Sequence, residues 1–371
     1  MTEMKVTPWE VAGEVDYDRL MKEFGIDPFA KFSKAMPDNV LFRRNVVYGQ
    51  RDFQRIADCI RNRKEFVMMT GLMPSGKFHF GHKIVADQIL YYQSLGAKIY
   101  LAVADIEAYN TRLADMEELK RTAIEEYLLN YMALGLKPKD CDFYFQSARS
   151  NDARLSNAYY RLAGLFARHA TFNEMQAVYG ELTPGRITSS LLQAADMFQP
   201  QLPEFGGPKP VVVPIGFDQD PHLRLARDLG QRIKGHNFIQ LSSTYNKFIT
   251  GLKGGKMSSS DPTSYIALTD SPEEAATKIR KHAFSGGRAT AAEQRKKGAN
   301  PDIDVSYQWL NAFFEPDDKK LKQIYDDYRS GKLLTGELKE MLITKVTAFL
   351  KEHQRKREQA RKVVDKFLKA D

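Results

Sequence analysis

His79 and His82 are the first residues of this chain whose spacing points to chemistry. They flank Phe80-Gly81 at a point where a helix is expected to start. A helix N-terminus collects free backbone N–H groups and the positive end of the helix dipole, so it favours anions. Two imidazole N–H groups there can hydrogen-bond phosphate oxygens. Gly81 has no side chain, so a flat base could lie against the backbone. The plainer alternative is that both histidines only cap the helix. A second candidate lies far along the chain, in Lys253-Gly-Gly-Lys256-Met257-Ser258-Ser259-Ser260. Glycines before it and serines after it make a mobile loop, on which Lys256 offers a compact charge able to approach phosphates. Alone, that run reads as a solvated linker. Together, the two motifs are much more specific for nucleotide chemistry.

A rival phosphate loop overlaps the first motif. Gly71-Leu-Met-Pro74-Ser75-Gly76-Lys77 matches Gly-x-x-x-x-Gly-Lys between a strand and a helix. Residues 99–103 followed by Asp105 imitate the acidic strand that holds magnesium in such enzymes. The match fails where the chemistry needs it. The residue after Lys77 must offer magnesium a hydroxyl and is Phe78. Pro74 also removes an amide from the phosphate cradle.

The elements that must position these groups follow from hydrophobic pattern. Short apolar runs at 66–70, 98–104, 142–146 and 211–215 read as buried strands, with 238–241 as a fifth. Helical patterns at 117–134, 153–169, 188–198 and 221–233 alternate with them. Continuous apolar strands alternating with amphipathic helices predict a doubly wound α/β fold with a parallel sheet covered on both faces. Beyond residue 270 only helices are expected, at 271–281, 305–314, 317–328 and 336–368. The expected organisation is an N-terminal extension over 1–65 carrying a short helix at 16–24, a Rossmann-type catalytic domain over 66–265, and a helical domain over 266–371.

Composition agrees with a folded chain. With 43% hydrophobic and 27% charged residues among 371, enough apolar surface exists to offset chain entropy, which excludes wholesale disorder. Two cysteines, Cys59 and Cys141, cannot form a disulfide framework or a zinc cluster, so a reducing cytoplasm is expected and no resident metal. The N-terminus shows no apolar leader and no run is long enough to span a membrane. A net charge of +8 is compatible with a polyanionic partner without requiring one.

At this point the chain resembles the class I aminoacyl-tRNA synthetases. His79-Phe-Gly-His82 and Lys256-Met-Ser-Ser-Ser260 match that class's two signature motifs. The resemblance to tryptophanyl-tRNA synthetases covers nearly the whole chain. It runs through Val6-Thr-Pro-Trp-Glu10 with Val15-Asp-Tyr-Asp18, then Phe217-Asp-Gln-Asp-Pro-His222, Lys281-His-Ala-Phe-Ser-Gly-Gly-Arg288 and Thr335-Gly-Glu-Leu-Lys339. The resemblance implies ATP, magnesium, L-tryptophan and tRNA(Trp) as ligands, a homodimer, and adenylate formation followed by acyl transfer to the tRNA. It implies catalytic roles for His79, His82 and Lys256. Ser75, Gly76, Gly81, Gly216, Asp218, Met257, Ser258 and Ser259 are implied in ATP binding. Met69, Gly71, Glu107, Gln193, Asp196 and Gln219 are implied around the amino acid, with Gln219 near its α-amino group.

One departure marks the amino-acid pocket. Archaeal and eukaryotic relatives hold the indole N–H with a tyrosine and a glutamine where this chain has Met69 and Ala102. Ala194-Ala-Asp196-Met resembles instead the bacterial enzymes, in which that aspartate accepts the indole N–H. The alternatives are a tyrosyl-tRNA synthetase, disfavoured by the missing phenol at Met69, and a catalytically idle RNA-binding paralogue, disfavoured by the intact motifs. Arg355, Lys356 and Arg357 crowd one segment of the last helix and are the candidates for tRNA contact, against the alternative of a solvated helix face.

Overall fold

The structure, a computed structural model, describes residues 5–6, 11–12, 16–112, 115–257 and 261–368. Part of the N-terminal motif and Ser258, Ser259 and Ser260 lie outside the described residues. Two short strands, β1 (Lys5–Val6) and β2 (Val11–Ala12), pair with each other. Seven more build one sheet: β3 (Asp27–Pro28), β4 (Val47–Arg51), β5 (Val67–Leu72), β6 (Lys98–Val103), β7 (Cys141–Phe145), β8 (Val211–Gly216) and β9 (Ser242–Asn246).

Their order across the sheet is β3-β4-β9-β8-β5-β6-β7. The strands from β5 to β9 are parallel, and β3 and β4 add an antiparallel edge. Taken from β7 to β9, the parallel strands follow the chain order third, second, first, fourth, fifth. That is the doubly wound order whose reversal, between β5 and β8, creates a crevice at the carboxyl ends. The register shows the crevice opening. β5 runs alongside β6 from Val67 to Leu72, but pairs with β8 only at Val67–Val211 and Met68–Val212. Beyond Met68 the two strands part. Gly71 is the one exposed residue of β5.

Alternation along the strands splits the core between the sheet's two faces. Met68, Leu101 and Val212 pack with the Phe80–Ser94 helix and the C-terminal helices. Val67, Met69, Ala102 and Val211 pack with the Ala153–Ala167, Pro184–Phe198 and Asp220–Arg232 helices.

Two expectations need correction. The fifth parallel strand is Ser242–Asn246, not 238–241. Its polar residues hid it, yet all five are buried. Hydrogen bonding makes this tolerable: Ser242 donates to Asp52 O at 2.7 Å and Thr244 to Gln88 at 3.3 Å. The helix expected over 336–368 ends at Arg361, with a short piece following at Asp365–Leu368. Within the N-terminal extension, residues 47–51 form β4, which joins the sheet beside β9. Packing continues across residue 265. Phe80 lies 5.0 Å from Trp309 and 5.6 Å from Phe349 between ring centroids, so both halves share one core.

Candidate active site

The first crossover helix, Phe80–Ser94, starts at the carboxyl end of β5, with His79 as its N-cap. The Gly81 N–H donates to His79 Nδ1 at 3.1 Å, and the His79 N–H donates to His82 Nδ1 at 3.2 Å. Both Nδ1 atoms are therefore acceptors, and each neutral ring carries its proton on Nε2. The rings stack 3.9 Å apart. Burial pushes the His79 pKa down to about 4. Burial, with repulsion from His79, pushes His82 well below its ordinary value. At neutral pH the pair offers two N–H donors without charge.

The lysine motif is brought to the same place by the segment that follows it. Ala267 bridges His79, and the Leu268 N–H donates to Phe78 O at 2.9 Å. A Cβ on Gly81 would stand 2.8 Å from His79 Cε1 and 3.2 Å from Met257 Sδ. Glycine is thus required at 81 for the two motifs to close on each other. Lys256 Nζ lies 3.5 Å from Asp218 Oδ2 and 4.9 Å from the Phe248 ring. Asp218 in turn accepts from Gln219 at 3.3 Å, just past Gly216 at the end of β8. Gly216 also has a steric reason, because a Cβ there would meet Asp218 Oδ1 at 2.6 Å. The imidazoles therefore follow β5, and the lysine reaches in from its loop to Asp218 just past β8, the two strands that bound the crevice.

The P-loop alternative finds no support in the side chains. Phe78 is fully buried, with its ring 5.7 Å from Tyr127 and 5.2 Å from Tyr131. Asp105 accepts from the Ile106 N–H at 3.0 Å and the Ser147 N–H at 3.1 Å, which ties the ends of β6 and β7 together. Ser75 O accepts from Tyr127 at 2.8 Å, and Gly76 turns the loop at φ 69°.

A second cluster lines the other wall. Gln193 Oε1 accepts from Tyr179 at 2.8 Å and meets His222 Nδ1 at 3.0 Å. Burial lowers the His222 pKa to about 4, so Nδ1–H of the neutral ring donates to that oxygen. The Gln193 amide nitrogen is left as a donor. Glu107, on the helix that follows β6, has its pKa raised to about 7 by burial and then by the negative charge of Asp196. Asp196 is 2% exposed. Its Oδ1 accepts from Tyr144 at 2.8 Å and Tyr159 at 2.9 Å, and its Oδ2 from Gln146 at 2.7 Å. Burial raises its pKa to about 6 in spite of these three bonds. Gln146 Oε1 beside it is buried without a partner. Met69 and Ala102 are buried on this same face of the sheet.

Tyr179, His222 and Gln146 were not anticipated as site residues. His222 ends a motif already singled out, three residues after Gln219 and so one helical turn away. Tyr179 and Gln146 carried no local signal, because only packing brings them to Gln193 and Asp196. The basic residues of the last helix are not assembled as one group. Arg355 pairs with Glu352 of its own helix at 2.7 Å, and Lys356 with the same carboxylate at 3.5 Å. Arg357 turns inward and donates to Glu125 O at 2.6 Å.

At the switch point of the parallel sheet, paired neutral imidazoles stand on one lip and a loop lysine on the other, an arrangement suited to holding the phosphates of a nucleotide. The chain belongs to the family tRNA synthetases class I (W and Y), whose model matches residues 61–351. Within that family it is similar to the tryptophan–tRNA ligase of Aeropyrum pernix, 45% identical over 99% of both chains. It is also 43% identical to that of Methanocaldococcus jannaschii over 98% of both. The crystal structure of the Aeropyrum pernix tryptophanyl-tRNA synthetase superposes with a TM-score of 0.90 at 46% identity, covering 95% of this chain and 96% of that one. The tryptophan-bound enzyme of Encephalitozoon cuniculi superposes at 0.83 with 26% identity, covering 95% and 98%.

Proposed function

We infer that this chain activates L-tryptophan with ATP and transfers it to tRNA(Trp). The observation that carries the chemistry is the closure of the lysine motif onto the histidine motif at the strand-order reversal. The membership just described supports the substrates. In the first step a carboxylate oxygen of tryptophan attacks the α-phosphorus of ATP, and the bond to pyrophosphate breaks. A ribose hydroxyl at the tRNA 3′ end then takes the acyl group and AMP leaves. No protein nucleophile is needed, so the protein must align two substrates and stabilise phosphate charge as it develops. We assign this stabilisation to the Nε2–H groups of His79 and His82 and to Lys256. Neutral donors suit the task, because they hold ATP without the cost of burying two positive charges.

Magnesium is a hard ion that keeps several waters and binds largely through phosphate oxygens. Among the described residues, no group of three or more His, Cys, Asp or Glu side chains is placed to hold a metal ion. We read magnesium as arriving with ATP, held largely through its phosphate oxygens.

For the amino acid, we assign Glu107, Gln193 and Gln219 to its polar groups and Asp196 to the indole N–H. Oδ2 of Asp196 has accepted only one hydrogen, and Gln146 Oε1 has none, so this corner retains capacity for a buried donor. We extend the reading to a homodimer, as the resemblance to tryptophanyl-tRNA synthetases implies. A cytoplasmic setting is supported by two unpaired cysteines, and among the described residues no helix is long and apolar enough to cross a membrane. The test is pyrophosphate exchange into ATP by the purified protein. Exchange should require L-tryptophan; equal exchange with tyrosine would overturn the substrate, and none with any amino acid would leave an RNA-binding paralogue.

A further inference from the structure

Phe284 is an apolar ring that the core does not use. It is 47% exposed, although it follows the buried Ala283. Its ring lies over Gly254 in the loop that leads to Lys256. A Cβ on Gly254 would stand 3.3 Å from Phe284 Cγ, and the residue has φ 87°, so both space and backbone conformation call for glycine there. The Phe284 N–H donates to Leu252 O at 2.6 Å. A third hold comes from Trp309, fully buried, whose indole N–H donates to Thr250 O at 2.8 Å.

The loop itself is a small hairpin. Thr250 bridges Lys256, and the Gly251 N–H donates to Gly255 O at 2.6 Å. Two of the holds fall on its first arm, at Thr250 and Leu252, the ring covers its turn at Gly254, and Lys256 ends the second arm. The mount is rigid on the far side. Phe284 O accepts from the Val305 N–H at 3.1 Å, and the Gly286 N–H donates to the buried Asp304 at 3.0 Å. That carboxylate also holds Tyr328 at 2.7 Å. Against this, the hairpin has glycines at 251, 254 and 255, which maximise the conformations it must give up to place one ammonium. Among the described residues, the head of Lys256 is oriented by a 3.5 Å contact to Asp218 and by the face of Phe248.

We propose that Phe284 is a positioning residue for Lys256: its ring and its backbone N–H clamp the glycine hairpin to the helical half of the molecule, so the ammonium is already placed when phosphate charge develops. The proposal rests on the assignment of Lys256 made above. Arriving pre-placed matters because misplacement of a reacting group by about 1 Å can cost up to ~10²-fold in rate.

The test is single-turnover adenylate formation at saturating ATP and tryptophan, in four variants of the full chain. Phe284→Ala should slow the step by ~10-fold while KM for tryptophan stays within about twofold. Phe284→Tyr keeps the ring and should recover most of the rate. Lys256→Ala should slow it by ~10²–10³-fold, by analogy with loss of one transition-state donor. Adding Phe284→Ala to Lys256→Ala should then change nothing further, because a clamp with no lysine to place has no effect. The proposal is overturned if Phe284→Ala leaves the rate unchanged, if it raises KM for tryptophan instead, or if it costs the same factor with and without Lys256. A normal rate in Lys256→Ala alone would sink the lysine's assigned role, and this is read separately on the single variant.

Discussion

Asp196 shows how a single residue's surroundings decide which experiment is informative. Its carboxylate accepts from two buried phenols and one buried amide. Alanine there would strand three donors at ~1–3 kcal/mol each, so loss of activity would report damage rather than recognition. Asp196→Asn keeps the shape and one acceptor oxygen. It should lower kcat/KM for tryptophan by ~10-fold or more, about 1.4 kcal/mol. It should also shrink discrimination against an analogue with sulfur in place of the indole N–H. Unchanged discrimination would place the indole against some other group. Glu107 supplies a pH signature. Its pKa of about 7 lies above its unfolded value, so it binds a proton more readily when folded. The ligand-free protein should therefore lose stability as pH rises from about 4.3 through 7 and the half-buried carboxyl ionises. Tryptophan's ammonium prefers the ionised form, so KM for tryptophan should fall over pH 6 to 8. Glu107→Gln should flatten that profile; a profile that survives the substitution would assign it to another group.

At the scale of elements, the Thr335–Arg361 helix has two different faces where its sequence shows one basic run. Arg357, with 12% side-chain exposure, braces the helix against Glu125 of the catalytic half. Arg355 and Lys356 face solvent at 57% and 49%. Replacing Arg355 and Lys356 with Ala should weaken tRNA binding and reduce its salt slope by about one to two, leaving tryptophan activation without tRNA intact. Arg357→Ala should instead lower stability by ~1–2 kcal/mol, seen in thermal unfolding, with little change in the salt slope. The reverse assignment, with Arg357 dominating the salt slope, would show that this helix meets tRNA with its inner face.

For the whole molecule, the shared core matters more than the boundary near residue 265. Phe80 begins the crossover helix that carries the histidines, and its ring is surrounded by Trp309, Phe313, Phe314 and Phe349 of the helical half. Heat unfolding should therefore give one transition by both near- and far-ultraviolet circular dichroism, not one per half. Phe80→Ala should cost ~3–5 kcal/mol and keep that single transition. Two separate transitions in the unmutated protein would mean that the helical half folds on its own.

Legibility in the sequence followed the range of the interactions involved. The four apolar parallel strands, the amphipathic helices and the two phosphate motifs could be read from local pattern, because period and turn chemistry act over a few residues. Even the failure of the P-loop was local, resting on Phe78. The fifth strand escaped because Ser242–Asn246 is polar in composition and buried only through partners such as Asp52 and Gln88, far away in the chain. The same limit hid Tyr179 and Gln146, and it concealed that Arg357 faces inward. Sequence alone determined the chemistry on offer: imidazoles at a helix start, a lysine among glycines, and an aspartate in an apolar helix. Only tertiary structure decided which groups meet, because register, burial and long-range hydrogen bonds set the distances. Closure of Met257 onto Gly81 and the mounting of the lysine hairpin on Phe284 are packing facts that no local pattern encodes.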